Sequence, residues 1–273
     1  MIYDSDEWLL PDKDARDRRH EMIAQTRDRL SVDGSLAKAM NNHIYYGLHR
    51  NEKGSWIFRE WAPNATKIYI IGEFNNWKRT EAYALRPIGG GNWEIELPSM
   101  FLDHGTLYKL YIEWKGGGAE RLPAYLTRAV QDPVTKTFCA QVWDPATKYE
   151  WKNAAPGKRP HPLIYECHIG MAAEEEKVGT FEEFRLNVLP KVAELGYDTL
   201  QIMALQEHPY YGSFGYQVAN FYALSSRFGT PEEFKALVDD AHGMGIAVVM
   251  DIVHSHSVDN EAEGLGLFDG TKT

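Results

Sequence analysis

Only two cysteines, Cys139 and Cys167, occur in the 273 residues. That scarcity excludes a disulfide framework. The amino terminus, Met-Ile-Tyr-Asp-Ser-Asp-Glu, also lacks a basic and an apolar leader segment, so a reducing, cytoplasmic setting is favoured. Basic charge is short too: 29 Lys and Arg against 39 Asp and Glu leave a net charge of −10. A phosphate-binding face concentrates Lys and Arg, so nucleic acid is not an expected partner. No hydrophobic run is long enough to span a bilayer, which argues against a membrane as well.

Aromatic residues are abundant: 8 Trp, 15 Tyr and 11 Phe. Their flat apolar faces and polar tips suit sugar faces as well as cores, although packing is the ordinary role of any one ring. Residues 13–40 are rich in charge, with Met22, Ile23, Leu30, Val32, Leu36 and Met40 at irregular helical spacing, and predict helical segments broken near Asp33-Gly34. From Tyr45 the pattern turns to short strands: Trp56–Trp61, Lys67–Ile71, Trp93–Leu97, Leu107–Trp114 and Ala140–Trp143. Turn groups at Pro63-Asn64, Gly89–Gly91 and Gly116–Gly118 separate several of them. Five to eight strands in a small β-sandwich is the natural reading.

The three prolines within Asn153–Pro162 predict an extended linker, because proline lacks the N–H donor and disfavours helix just before it. Beyond it the period switches. Leu163–His168, Thr199–Leu205 and Ala247–Val253 read as strands, and Phe181–Leu195 and Pro231–Met244 as helices ending at Gly196 and Gly245. Thr230, Pro231 and Glu233 make a capping-box start for the second helix. Strand, helix, strand, helix, strand implies parallel pairing. Three parallel strands do not close a barrel.

Six ordered motifs resemble one family: Glu60-Trp-Ala-Pro63, Gly72-Glu-Phe-Asn-Asn-Trp77, Tyr165-Glu-Cys-His-Ile-Gly-Met171, Tyr211-Gly-Ser-Phe-Gly-Tyr-Gln217, Ser226-Arg-Phe-Gly-Thr-Pro231 and Asp251-Ile-Val-His-Ser-His256. Together they resemble the 1,4-α-glucan (glycogen or starch) branching enzymes of the α-amylase superfamily. The resemblance implies a multidomain β plus α/β chain. A helical lead-in (1–43) would precede an immunoglobulin-like β-sandwich that binds glucan (44–150) and a proline-rich linker (151–162). The first three strands and two helices of an incomplete TIM (β/α)8 barrel (163–273) would follow.

By the same resemblance, the Asp-x4-His segment ends barrel strand three. His256 would donate to the sugar whose bond is cleaved, and Asp251 would hold an arginine beside the nucleophile. Tyr216 would stack under that sugar with Gln217 beside it. A flat aromatic face and tightening hydroxyl contacts suit an oxocarbenium-like transition state. In the sandwich, Trp77 and Lys109 match sugar-contacting positions, whereas the stretch Gly116–Leu122 differs where a second sugar-binding tryptophan would lie.

The family's nucleophilic Asp and general-acid Glu would fall after later strands, beyond Thr273, so an inactive amino-terminal fragment is expected. The third strand should then present an unpaired edge, and Asp251 should lack its arginine. The implied partner is α-1,4-glucan, as glycogen, amylose or starch. No metal or organic cofactor is implied, since two carboxylates suffice for the chemistry. Competing readings are a non-catalytic glucan-binding module, a related α-glucan hydrolase or debranching enzyme, and a metal-dependent hydrolase built on His254, His256, Asp251 and His208. The family motifs already account for that last segment.

Overall fold

The computed structural model describes residues 6–272; the first five residues of the expected 1–43 lead-in and the final Thr273 lie outside the described residues. The chain divides into two compact units, Met1–Tyr45 and Tyr46–Thr273. In the first, a 3₁₀ turn (Glu7–Asp12) starts where the Asp6 side chain accepts from the Trp8 N–H. It leads into α1 (Lys13–Leu30), α2 (Leu36–Ala39) and α3 (Asn42–Tyr45). The break expected at Asp33-Gly34 is present, with both residues left-handed (φ 49° and 73°). No residue of α1 is buried, so its charged surface is stabilised locally, as by the Lys13–Asp17 pair one turn apart (2.6 Å).

The second unit opens with nine strands in two antiparallel sheets. One has the order β1 (Gly47–Arg50), β2 (Trp56–Trp61), β5 (Asn92–Leu97), β4 (Arg86–Gly89). The other has β3 (Ala65–Gly72), β6 (Leu107–Trp114), β9 (Phe138–Gln141), β8 (Ala129–Gln131), with β7 (Gly117–Arg121) also on β6. Strand alternation sends Trp56 and Phe58 of β2 and Tyr108, Leu110 and Ile112 of β6 into a common core. The same period buries Glu60, a carboxylate that is 0 % exposed. The last strand lies two residues earlier than its apolar stretch predicts. Only Lys115 and Gly116 (φ 92°) form the β6–β7 turn; Gly117 and Gly118 pair in the strand opposite Trp114 and Glu113.

The parallel sheet has the order β10 (Ile164–Cys167), β11 (Thr199–Ile202), β14 (Ala247–Met250), aligned so that Ile164, Thr199 and Ala247 sit side by side. Between β10 and β11 the expected single helix is instead α4 (Phe181–Glu183), a π turn (Phe184–Val188) and α5 (Leu189–Glu194). Pro190 is the physical reason: it has no N–H for the ladder, and its ring crowds the carbonyl of Leu186 four residues back. The widened turn relieves that crowding, and Leu189 N–H reaches the Phe184 carbonyl five residues back.

Between β11 and α6 (Pro231–Gly243), a short hairpin of β12 (Gln206–Glu207) and β13 (Asn220–Leu224) forms a separate two-stranded sheet. Helix α6 carries the expected capping box, Thr230 with Glu233, and Thr180 with Glu183 forms another at α4. Gly196 and Gly245 are left-handed (φ 84° and 78°), as helix termination at glycine requires. Strand β14 is an edge, with Val249 and Met250 exposed.

The start of the proline-rich stretch is anchored. Lys152 and Asn153 donate backbone N–H groups to the Asp239 carboxylate of α6. The residues after β14 return to the sandwich, where Asp269 accepts from Asn64 N–H and Nδ2 (2.9 and 3.0 Å) and Arg121 donates to the Leu267 carbonyl (3.0 Å).

Candidate functional site

Polar side chains at the carboxyl ends of parallel barrel strands surround the mouth of the site. Asp251 takes that place directly after β14, its N–H bonded to the Ile202 carbonyl of β11 (2.9 Å). Strand β14 therefore stops three residues short of the expected Val253, because the chain there turns to side-chain partners: Val253 N–H donates to Gln206 Oε1 (2.9 Å).

Tyr216 reaches the same point from the β12–β13 connection. Phe214 and Gly215 turn left-handed in succession (φ 54° and 91°), and a Cβ on Gly215 would lie 2.1 Å from the Ala204 carbonyl oxygen. Only glycine fits there. Gly215→Ala is expected to destabilise the protein by at least about 2 kcal/mol through that overlap and the positive φ. Thermal unfolding of the variant checks this, and an unchanged Tm would refute it.

Tyr216 Oη donates to Asp251 Oδ2 (2.7 Å). That hydrogen bond, with burial second, pushes the phenol up to about 12 and keeps it a donor. The Tyr216 carbonyl accepts from His256 Nε2 (2.7 Å). A carbonyl can only accept, so Nε2 carries the proton. In the neutral ring Nδ1 then accepts from Ser255 Oγ (2.9 Å). Three of the expected residues thus meet at one place. Asp251, expected to be stranded without its arginine, is half-buried and takes the tyrosine hydroxyl as its partner. Gln217 is exposed and, among the described residues, makes no hydrogen bond to Asp251 or His256.

The metal-hydrolase alternative would need its histidines turned to a common centre. His254 Nδ1 instead faces the Ile252 carbonyl (3.3 Å), His256 the Tyr216 carbonyl, and the buried His208 Nδ1 the Gln206 carbonyl (2.9 Å). A cavity of about 350 Å³ lies elsewhere, between the loop after β10 and α4–α5, lined by Ile169, Lys177, Thr180, Phe184, Asn187 and Lys191 among others. None of the Tyr216 cluster lines it.

On the sandwich, Asn75 builds the turn that presents Trp77. Its Oδ1 accepts from Gly72 N–H (3.0 Å), while Nδ2 donates to the carbonyls of Ile70 and Lys78 (3.1 Å each). Asn76 and Trp77 follow in left-handed conformations (φ 55° and 59°), leaving the indole 38 % exposed. Lys109, opposite Ile71 across the β3–β6 pair, has its ammonium 3.0 Å from Glu120. A sugar reaching Lys109 would share it with that carboxylate.

Sequence reasoning missed a buried network beneath the mouth. Glu207 accepts from His208 N–H, Ser225 Oγ, Ser226 N–H and Ser226 Oγ, with Arg227 3.7 Å away. Arg227 in turn donates to the carbonyls of His208 and Pro209. The available signal was Arg227 itself, whose five donors demand acceptors wherever a fold buries them. His168, after β10, was also missed as a packing residue; its ring sits edge-on to Tyr211, Phe214 and Phe228, and burial lowers its pKa.

The family profile "Carbohydrate-binding module 48 (Isoamylase N-terminal domain)" matches residues 45–133, and "Alpha amylase, catalytic domain" matches residues 186–263. The 1,4-alpha-glucan-branching enzyme of Yarrowia lipolytica is 42 % identical over 99 % of this chain and 40 % of its own length. That of Dictyostelium discoideum is 41 % identical over 99 % of this chain and 41 % of its own length. Among solved structures, a Salmonella typhimurium protein described as an alpha amylase superposes with a TM-score of 0.68 at 27 % identity, covering 81 % of this chain and 35 % of that one. The chain spans about two fifths of the length of the curated relatives it matches. With a carbohydrate-binding module followed by part of an α-amylase catalytic domain, this chain is a homologue of the 1,4-α-glucan-branching enzymes across that portion of their length.

Proposed function

We propose that this chain is the glucan-binding module and donor-side part of a 1,4-α-glucan-branching enzyme. Such an enzyme cuts an α-1,4 bond, holds the cut chain on a carboxylate and passes it to a 6-hydroxyl to make an α-1,6 branch. The observation that carries the reading is the junction of Tyr216, Asp251 and His256 at the carboxyl end of β14, in a chain with this kinship.

There, Tyr216 would offer its ring to the donor sugar, His256 would turn its Nε2–H from the Tyr216 carbonyl to a sugar hydroxyl, and Gln217 lies at the exposed rim. Retaining transfer also needs two carboxyl groups about 5–5.5 Å apart. Asp251 is bonded to Tyr216, Glu166 to Gln201, and Glu207 to two serines, so each of these carboxylates already has a hydrogen-bond partner within the chain. The family resemblance assigns the nucleophilic Asp and the acid Glu to the part of the enzyme outside this stretch. Trp77 and Lys109 would contact glucan on the sandwich, with residues 44–150 as the binding module, 151–162 as the linker and 163–273 as the first part of the barrel. The free thiols of Cys139 and Cys167 suit a reducing, cytoplasmic setting.

Purified chain should bind glycogen yet form no α-1,6 linkages in an iodine-absorbance assay; branch formation by this stretch alone would defeat the assignment. In a catalytically complete branching enzyme, His256→Ala should lower the branching rate by about 100- to 1,000-fold, the scale for loss of one transition-state donor. An unchanged rate would remove His256 from the donor side. Hydrolysis remains the second reading, favoured by the likeness to an alpha amylase structure, and product analysis that finds only shortened chains would select it.

A further inference from the structure

Trp151 is an exposed indole that lies apart from Trp77 and from the Tyr216 cluster. Trp151 is 55 % exposed although the two residues that follow it are bonded through their backbone N–H groups to α6. Asp239 of α6 fixes them. Its carboxylate accepts from Tyr149 Oη (2.8 Å), Lys152 N–H (3.0 Å), Asn153 N–H (2.8 Å) and Asn153 Nδ2 (3.1 Å). Burial pushes this carboxyl up, but the bonds from Lys152, Tyr149 and Asn153 outweigh it and hold it at about 2.

Tyr149 packs edge-on to the indole (5.2 Å, 70°), and His242 lies nearly parallel to it (6.4 Å, 26°). A side chain buttressed on an edge and towards one face, yet more than half exposed, presents its remaining face to solvent. An apolar ring spared only for packing would be expected to bury more of its area.

The location separates this ring from the mouth. Helix α6 ends at Gly243 and the chain enters β14 at Ala247, so His242 and Trp151 lie near the amino end of the parallel strands. Asp251 follows β14 at the carboxyl end, about 13 Å further along at 3.3 Å per residue. A sugar on Trp151 is therefore not a subsite of the reaction centre.

We propose that Trp151 is an additional α-glucan contact, an aromatic platform at the amino end of the parallel sheet that holds another part of the same polymer. The proposal rests on the reading that this protein handles α-glucan. The flat apolar face of a glucose unit stacks on the indole, and the exposed Glu150 and Lys152 on either side offer hydroxyl partners. The Asp239 anchor means that little backbone freedom is lost on binding. Because glycogen can touch this platform and Trp77 at once, removal of either ring costs more affinity for the polymer than for a short oligosaccharide.

The test compares wild type, Trp151→Ala, Trp151→Phe and Trp77→Ala for retardation in glycogen-containing native gels and for maltoheptaose binding by calorimetry. Trp151→Ala should weaken glycogen binding by about 3- to 10-fold, Trp151→Phe should restore most of it, and both should keep the wild-type Tm. Glycogen binding by Trp151→Ala within twofold of wild type overturns the proposal. So does a loss that appears only with a matching fall in Tm in both Trp151 variants, which would make the ring a packing element. If wild type binds neither glycogen nor maltoheptaose, the functional reading itself fails and this proposal falls with it.

Discussion

Replacing Glu207 with alanine is expected to destabilise the Tyr46–Thr273 unit by about 3–5 kcal/mol, the range for stripping a partner from a buried charged network. The carboxylate is 1 % exposed and accepts four hydrogen bonds, from His208 N–H (3.1 Å), Ser225 Oγ (3.0 Å), Ser226 N–H (2.7 Å) and Ser226 Oγ (3.0 Å). Alanine removes the acceptor of two backbone donors and of the Ser225 and Ser226 hydroxyls. It also leaves the Arg227 guanidinium without its nearest countercharge. Loss of the network should loosen the β12–β13 connection that carries Tyr216. At roughly 2–4 °C per kcal/mol for a unit of this size, Tm should fall by about 6–20 °C. Thermal unfolding of the variant checks this, and a fall below about 3 °C would show that the network contributes little. Glu207→Gln should lie between, because one acceptor oxygen survives.

The second large effect is in pH dependence. Burial raises the Glu60 carboxyl from 4.5 to about 7, while the N–H groups of Trp61 and Ala124 pull it partly back. Because the folded value lies above the unfolded one, the folded state holds this proton more tightly. The resulting stability is fully present below about pH 4.5 and is lost as pH rises through about 7, amounting to about 3 kcal/mol. Asp239 acts in the opposite sense: its contribution is present above 3.8 and lost as pH falls through about 2.

Urea midpoints should therefore drop between pH 5 and pH 8, and Glu60→Gln should remove most of that slope. The glutamine has one acceptor for two backbone donors, 2.9 Å from the present carboxylate oxygens, so it should be less stable than wild type at pH 5 by about 1–3 kcal/mol. An equally steep slope in Glu60→Gln would locate the titration elsewhere.

How legible these features were in the sequence depends on the range of the interactions behind them. Strands β2, β3, β5 and β6 were readable because alternation is a local consequence of pleating, and one buried face enforces it. Strand β7 was not, since Gly117 and Gly118 look like turn residues; their pairing with β6 supplies the reason for extended backbone. Pro190 marked the interruption in the α4–α5 stretch, but a helical period laid over it hid the π turn.

The motif likeness singled out Tyr216, Asp251 and His256, and their distances could come only from the fold. The residues lie 35 and 40 positions apart and are joined by the Gly215 turn and the end of β14. Trp77 and Lys109 were named from the same likeness, and the fold adds that Lys109 is held by Glu120.

By itself the sequence determined the two periodicities, the helix caps at Thr230 and Gly245, the acidic charge and the kinship carried by six motifs. Each is a local property, set by a few neighbouring backbone dihedrals or by residue identity alone. The tertiary structure decided where Glu60, Glu207 and Asp239 find donors, which ring nitrogen of His256 carries the proton, and which indoles remain exposed. Those outcomes depend on desolvation and on partners distant in sequence, which come together only when the strands and helices pack.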